Sequence, residues 1–226
     1  MTQAVLNDWR TAPIHGKLRA MIGCLDTLIR QPDGVGSEHI TVLRHAGLTD
    51  RAILDALYIC AGFSIIVRLA AALGFQMPPQ KVFARGAKFL LVFGYKPLSG
   101  QWWGRDSHDE LYKQHRSWAV AEGSLEDPYR GGIQRLKHAV LAGPGFLESH
   151  VRQVAAAAGD LPGSLGHYVQ KVAHNANDVT DDDIVWLRTE GYTEDQIFEA
   201  TVSAALGAGL LRLESGLQAL QIEQLL

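Results

Sequence analysis

Two acidic residues and two arginines recur at one spacing in this sequence. Asp55 is followed thirteen positions later by Arg68, and Glu199 is followed thirteen positions later by Arg212. A carboxylate can move a proton, and a guanidinium can grip a substrate carboxylate through two parallel hydrogen bonds. On a continuous helix thirteen residues span roughly 20 Å, so neither acid reaches the arginine of its own segment. Two such helices packed antiparallel would instead bring Asp55 to Arg212 and Glu199 to Arg68. Those crossed pairs have two readings. One is a clamp that fixes register in an apolar seam, where a buried pair is costly unless both charges are satisfied. The other is a pocket wall, on which the arginine holds an anion and the acid transfers a proton.

The nine histidines are a second source of chemistry. His167 and His174 are seven apart and share a helical face, with Tyr168 and Lys171 beside them, which suits a joint acid/base or metal-binding role. His108 and His115 have the same spacing but stand among Asp106, Asp109 and Glu110, as on a solvated face. There is no His-Glu-x-x-His pair, no glycine-rich phosphate loop after a strand and no Gly-x-Ser-x-Gly elbow. Cys24 and Cys60 are too distant in sequence for a Cys-x-x-Cys pair and read as buried small hydrophobes. Neither a metal nor a cofactor is expected.

These groups need rigid elements to hold them, and the apolar spacing of three and four residues makes those elements helices. Helices are expected over 17–30, 38–46, 50–73, 109–121, 129–141, 146–158, 164–175, 181–190 and 194–221. Between them stand Gln31-Pro-Asp-Gly, Met77-Pro-Pro, Gly143-Pro-Gly and Leu161-Pro-Gly, which stop helices for steric reasons. Strand patterns are scarce, so the fold class is all-α.

The sequence also matches itself. Gly47-Leu-Thr-Asp-Arg-Ala-Ile-Leu-Asp55 lies over Gly191-Tyr-Thr-Glu-Asp-Gln-Ile-Phe-Glu199, 144 positions later, and the same offset pairs Ile40 with Ile184, Arg44 with Arg188, Ala61 with Ala205 and Arg68 with Arg212. A gapless match of this length implies duplication of a helical unit, with Thr49 and Thr193 as its two N-caps. The segment around Gln101-Trp-Trp-Gly-Arg-Asp has no counterpart. It reads as a joining region, with Trp102 and Trp103 as an inter-module staple.

The repeated unit resembles the alkylhydroperoxidase-D and carboxymuconolactone-decarboxylase superfamily. The resemblance rests on Asp8-Trp-Arg-Thr-Ala-Pro-Ile, on Asp55-Ala-Leu-Tyr-Ile-Cys-Ala-Gly-Phe-Ser-Ile-Ile-Val-Arg-Leu-Ala, on Phe83-Ala-Arg-Gly-Ala-Lys and, for the second unit, on the segment 161–220. It implies two tandem modules related by a pseudo-two-fold and packed as one helical bundle. The first covers 1–96, the joining region 97–127 and the second module 128–226. Peroxidatic relatives carry cysteines twelve and fifteen positions after the acid and a histidine at nineteen. Those positions here are Val67, Ala70 and Gly74 in one copy and Leu211, Glu214 and Gln218 in the other. No thiolate remains, so thiol peroxidase activity is not expected.

The resemblance implies a cofactor-independent lyase- or isomerase-type enzyme that transfers a proton on a small carboxylate-bearing molecule. Glu199 is the expected general base, with Asp55 its counterpart and His174 the proton donor. Arg212 and Arg68 are the expected anion clamp, flanked by His167 and Tyr168. The alternative is a non-catalytic binding or assembly subunit. A net charge of -3 and no basic run argue against nucleic acid. Asp55, Gly62 and Arg68 interrupt the most apolar run, so the expected setting is cytoplasmic and without a membrane partner. The resemblance admits a homodimer.

Overall fold

The computed structural model describes residues 2–75 and 127–221. The chain divides into two compact units, residues 1–75 with 127–226, and residues 76–126. The described residues belong to the first. The expected helix over 109–121, Trp102, Trp103, His108, His115 and the Phe83 segment lie outside them.

All regular structure among the described residues is helical. In chain order the helices are α1 (Thr2–Asp8), α2 (Gly16–Arg30), α3 (Ser37–His45), α4 (Asp50–Ala72), α5 (Arg130–Leu141), α6 (Ser149–Ala156), α7 (Gly163–Asn175), α8 (Asp181–Thr189) and α9 (Glu194–Leu220), with 3-10 turns at Pro32–Gly34 and Ala176–Asp178. Helix α1 carries no caps or periodicity strong enough to have been expected. The 3-10 turns, α3 with α8, and the first residues of α4 and α9 are each separated by 144 positions.

The two long helices begin for the same physical reason. Gly47 and Gly191 sit at φ of +84° and +96°, a left-handed conformation that ends the preceding short helix without a Cβ clash. The Thr49 hydroxyl then accepts from Ala52 N, and the Thr193 hydroxyl accepts from Gln196 N while Gln196 Oε1 accepts from Thr193 N. Caps of this kind contribute about 1 kcal/mol each.

Helices α4 and α9 pack against each other in the core. A Cβ on Gly216 would lie 2.5 Å from Leu57 Cδ2, and one on Gly209 would lie 3.0 Å from the Ala61 carbonyl. Positions that rise along α4 therefore meet positions that fall along α9, and the pair is antiparallel. Small residues let the backbones approach. One apolar cluster joins Leu28, Ile40, Leu43, Ile53, Leu54 and Leu57 to Leu206, Leu213 and Leu217. A second joins Leu165, Val169, Val172 and Leu187 to Ile197, Ala200, Ala204 and Ala205. Helix α9 serves both. By length and composition α4 could cross a membrane, with a mean hydropathy of 1.9 over its most apolar window. It keeps one face in the core and leaves Ile59, Phe63, Ile66 and Val67 exposed.

Helix α6 starts at Ser149, three residues later than the periodicity predicts. The reason is Glu199, whose carboxylate accepts from the amides of Phe146 and Leu147, both at 2.8 Å, and holds that stretch as a turn.

Candidate functional site

A cleft of about 1400 Å³ lies among the C-terminal ends of α2 and α7, one face of α5, the end of α6 and the middle of α9. Its wall includes Arg68, Arg212 and His174, and also Lys137, His138 and Glu214.

The arginines are placed by helix geometry. Side chains on a helix lean toward its N-terminus, and each arginine lies back over its own preceding turn. Arg68 Nη1 donates to the Ser64 carbonyl at 3.0 Å and to its hydroxyl at 2.6 Å, and Arg212 Nη1 donates to the Ala208 carbonyl at 2.6 Å. In the antiparallel register, Ser64 and Ala208 stand at one level. The two guanidinium groups therefore converge from opposite directions. Each also reaches across: Arg68 Nε donates to the Ala173 carbonyl at 3.1 Å, and Arg212 Nη2 to the Ile29 carbonyl at 3.0 Å. Ala173 and Ile29 lie in the last turns of α7 and α2, where carbonyls lack intrahelical partners and the helix dipole favours a cation.

The crossed ion pairs do not form. In this register Asp55 stands level with Leu217, nine residues or about 13 Å along α9 from the level at which the Arg212 head group lies. The same backward lean carries Arg68 away from Glu199. Neither arginine has a carboxylate within ion-pair distance among the described residues, although only 9% and 8% of their surfaces are exposed. Burial, reinforced by the nearby Arg212 charge, pushes the Arg68 guanidinium down to about 10, still protonated at neutral pH. Burial also lowers Arg212. Arg212 Nε is buried with no hydrogen-bond partner among the described residues.

Both acids are used elsewhere, to hold the two ends of α5. Asp55 pairs with Arg51 at 3.0 Å and accepts from the Tyr129 hydroxyl at 2.9 Å, just before α5 begins. The Tyr58 hydroxyl donates to Asp127 beside it. Beyond the far end, Glu199 holds the 146–147 amides and lies 4.0 Å from Arg152 Nε. Arg152 in turn donates to the carbonyls of Val140 and Gly143. Helix α5 is thus fixed at both ends, and its middle presents Lys137 and His138 to the cleft.

Of the residues singled out in the sequence, Arg68, Arg212 and His174 share the cleft wall, whereas Glu199, Asp55, His167 and Tyr168 are not part of it. His167 is exposed, 5.8 Å from the Trp186 ring and two turns of α7 before His174. Tyr168 is buried and shares a 2.6 Å hydrogen bond with Thr201. Sequence reasoning passed over Glu214, Lys137 and His138. Nothing in local sequence marks Lys137 or His138, because they reach the cleft only through the anchoring of α5. Burial raises the Glu214 carboxyl above its ordinary range, with Lys137 opposing the shift.

No family model, no curated protein and no solved structure matches this chain. Among the described residues no three His, Cys, Asp or Glu side chains are grouped as a metal would require.

Proposed function

We propose that the cleft binds a carboxylate-bearing small molecule and that the chain acts on it by cofactor-independent proton transfer, the lyase- or isomerase-type chemistry of carboxymuconolactone-decarboxylase-like proteins. The observation that carries this reading is the pair of converging, buried arginines with no carboxylate partner among the described residues. Charges left uncompensated in a low dielectric cost several kcal/mol each, and an anion seated against them offsets that cost. Helix-end carbonyls satisfy some of their donors but carry no full negative charge.

Glu214 takes the role of general base in place of Glu199, whose two oxygens are occupied by backbone amides. In its ionised form Glu214 removes a proton from the carbon next to the ligand's carboxylate. Charge developing on the acid oxygens is held by Arg68 and Arg212, and His174 returns a proton. Duplication of one helical unit about a pseudo-two-fold, as in an alkylhydroperoxidase-D-like pair of modules, is supported by the 144-residue spacing of α3 with α8, of α4 with α9 and of the two arginine contacts. A cytoplasmic setting, without nucleic acid or membrane as partner, belongs to the same reading.

The non-catalytic alternative is favoured by one observation, that both acids of the repeated spacing are engaged in anchoring. Two measurements separate the readings. Calorimetric titration with butyrate and benzoate should show binding that is lost in Arg212→Met. Proton NMR in deuterium oxide with but-3-enoate, whose protons next to the carboxyl are activated by the neighbouring double bond, should then show exchange, abolished in Glu214→Gln. Binding without exchange would leave a non-catalytic binding subunit, and absence of binding would remove the carboxylate site and leave an assembly subunit.

A further inference from the structure

We infer that the ligand of this cleft is an amphipathic organic acid, a medium-chain aliphatic carboxylate whose head meets the Arg68–Arg212 pair and whose chain lies along the apolar wall beside it. The inference rests on the carboxylate reading above and adds the class of acid.

The volume is the first argument. The cleft, at about 1400 Å³, has room beside the arginines for a hydrocarbon chain as well as a carboxylate. The second argument is the wall. Ile29 and Leu211 line the cleft and are each 49% exposed, although both adjoin the cationic end: the Ile29 carbonyl is the one that Arg212 binds, and Leu211 is its chain neighbour. Leu141, Ala157 and Leu210 extend the apolar surface. Large aliphatic groups left in water beside two buried guanidinium groups make a head-and-tail site, because the arginines would hold the charge while a hydrocarbon chain removes Ile29 and Leu211 from solvent. The third is Arg212 Nε, a buried donor with no hydrogen-bond partner among the described residues, on a side chain that lines the cleft.

The test is a calorimetric series of butyrate, hexanoate and octanoate, with octanol as the uncharged control. Each methylene taken from water contributes about 0.8 kcal/mol, so affinity should rise about threefold to fourfold per methylene and on the order of 100-fold from butyrate to octanoate. Octanol should bind at least tenfold more weakly than octanoate. Leu211→Ser, a change at an exposed position, should weaken octanoate several-fold, and by more than it weakens butyrate. Equal binding of butyrate and octanoate would overturn this inference and leave the carboxylate reading standing. Octanol binding as tightly as octanoate, or no binding by any acid, would overturn both.

Discussion

Arg68 and Arg212 exchange helix ends. Arg68, on α4, binds the Ala173 carbonyl of α7, and Arg212, on α9, binds the Ile29 carbonyl of α2, with donor and acceptor in each case 144 positions from their counterparts. The carbonyls supply the acceptors that the sequence spacing had suggested would come from Glu199 and Asp55. This exchange ties the last turns of α2 and α7 to the central helix pair. It also brings two like charges to one level in the core.

The stability of the two arginines follows with a sign that distinguishes repulsion from simple bonding. Each single change to methionine removes charge-assisted hydrogen bonds and with them the cost of an uncompensated buried charge, so the net change in urea unfolding should stay within about 2 kcal/mol. Each single change also relieves the mutual repulsion, but the double variant relieves it only once while losing both sets of bonds. The double variant should therefore be destabilised by more than the sum of the singles, by up to about 1 kcal/mol. Strict additivity would mean that the guanidinium groups do not interact.

Glu199 offers a test of anchoring against catalysis. Glu199→Gln keeps one carbonyl oxygen and can hold only one of the Phe146 and Leu147 amides well, so a loss of about 1–2 kcal/mol is expected, rising to about 3 kcal/mol for Glu199→Ala. Hydrogen exchange at those two amides should accelerate in both variants. Butyrate binding in the Gln variant should be little changed, because Glu199 is not part of the cleft wall.

Gly207 packs closely against α6 in the wall of the cleft. A Cβ there would lie 1.7 Å from the Ala156 carbonyl, so α6 and α9 cannot keep their separation if one is added. Gly207→Ala raises intrinsic helix propensity by about 1 kcal/mol, yet the expected net effect is a loss of about 2–4 kcal/mol, because backbone must move. Thermal denaturation decides between the two terms. A variant more stable than the parent would mean that the helices separate freely at this point.

The helices were largely legible because their signals are local. Thr49 and Thr193 announce their caps, Gly47 and Gly191 the turns before them, and apolar spacing marks α4 and α9 as buried against a partner. The antiparallel pairing of α4 with α9 follows from their shared character. The direction of the arginine side chains did not, because thirteen-residue spacing locates a Cα and is silent on the lean that carries each guanidinium a further turn away from its acid. The two acids were equally misleading. Their retention in both segments has a structural cause in Tyr129 and in the 146–147 amides, partners that lie far off in sequence. Glu214 carried no recognisable motif, and it becomes a candidate only when α5 and α9 are seen to face one space.

Glu214 gives the prediction with the clearest pH dependence. Its folded-state carboxyl is raised above the ordinary value of 4.5 by burial, so the folded protein binds that proton more tightly than the unfolded chain does. The advantage is full below the unfolded value and is lost as the pH rises through the folded one, leaving an ionisation penalty at neutral pH. Glu214→Gln is neutral throughout and escapes that penalty. Its melting temperature should exceed the parent's at pH 7, and the difference should shrink to nothing near pH 4, where both side chains are uncharged. The same change removes a negative charge from the wall that faces the ligand's carboxylate, so butyrate and octanoate should both bind about two- to fivefold more tightly at pH 7. Tighter binding together with lost proton exchange would separate the two duties of this residue, since a group that only shaped the cleft would alter affinity and leave exchange untouched.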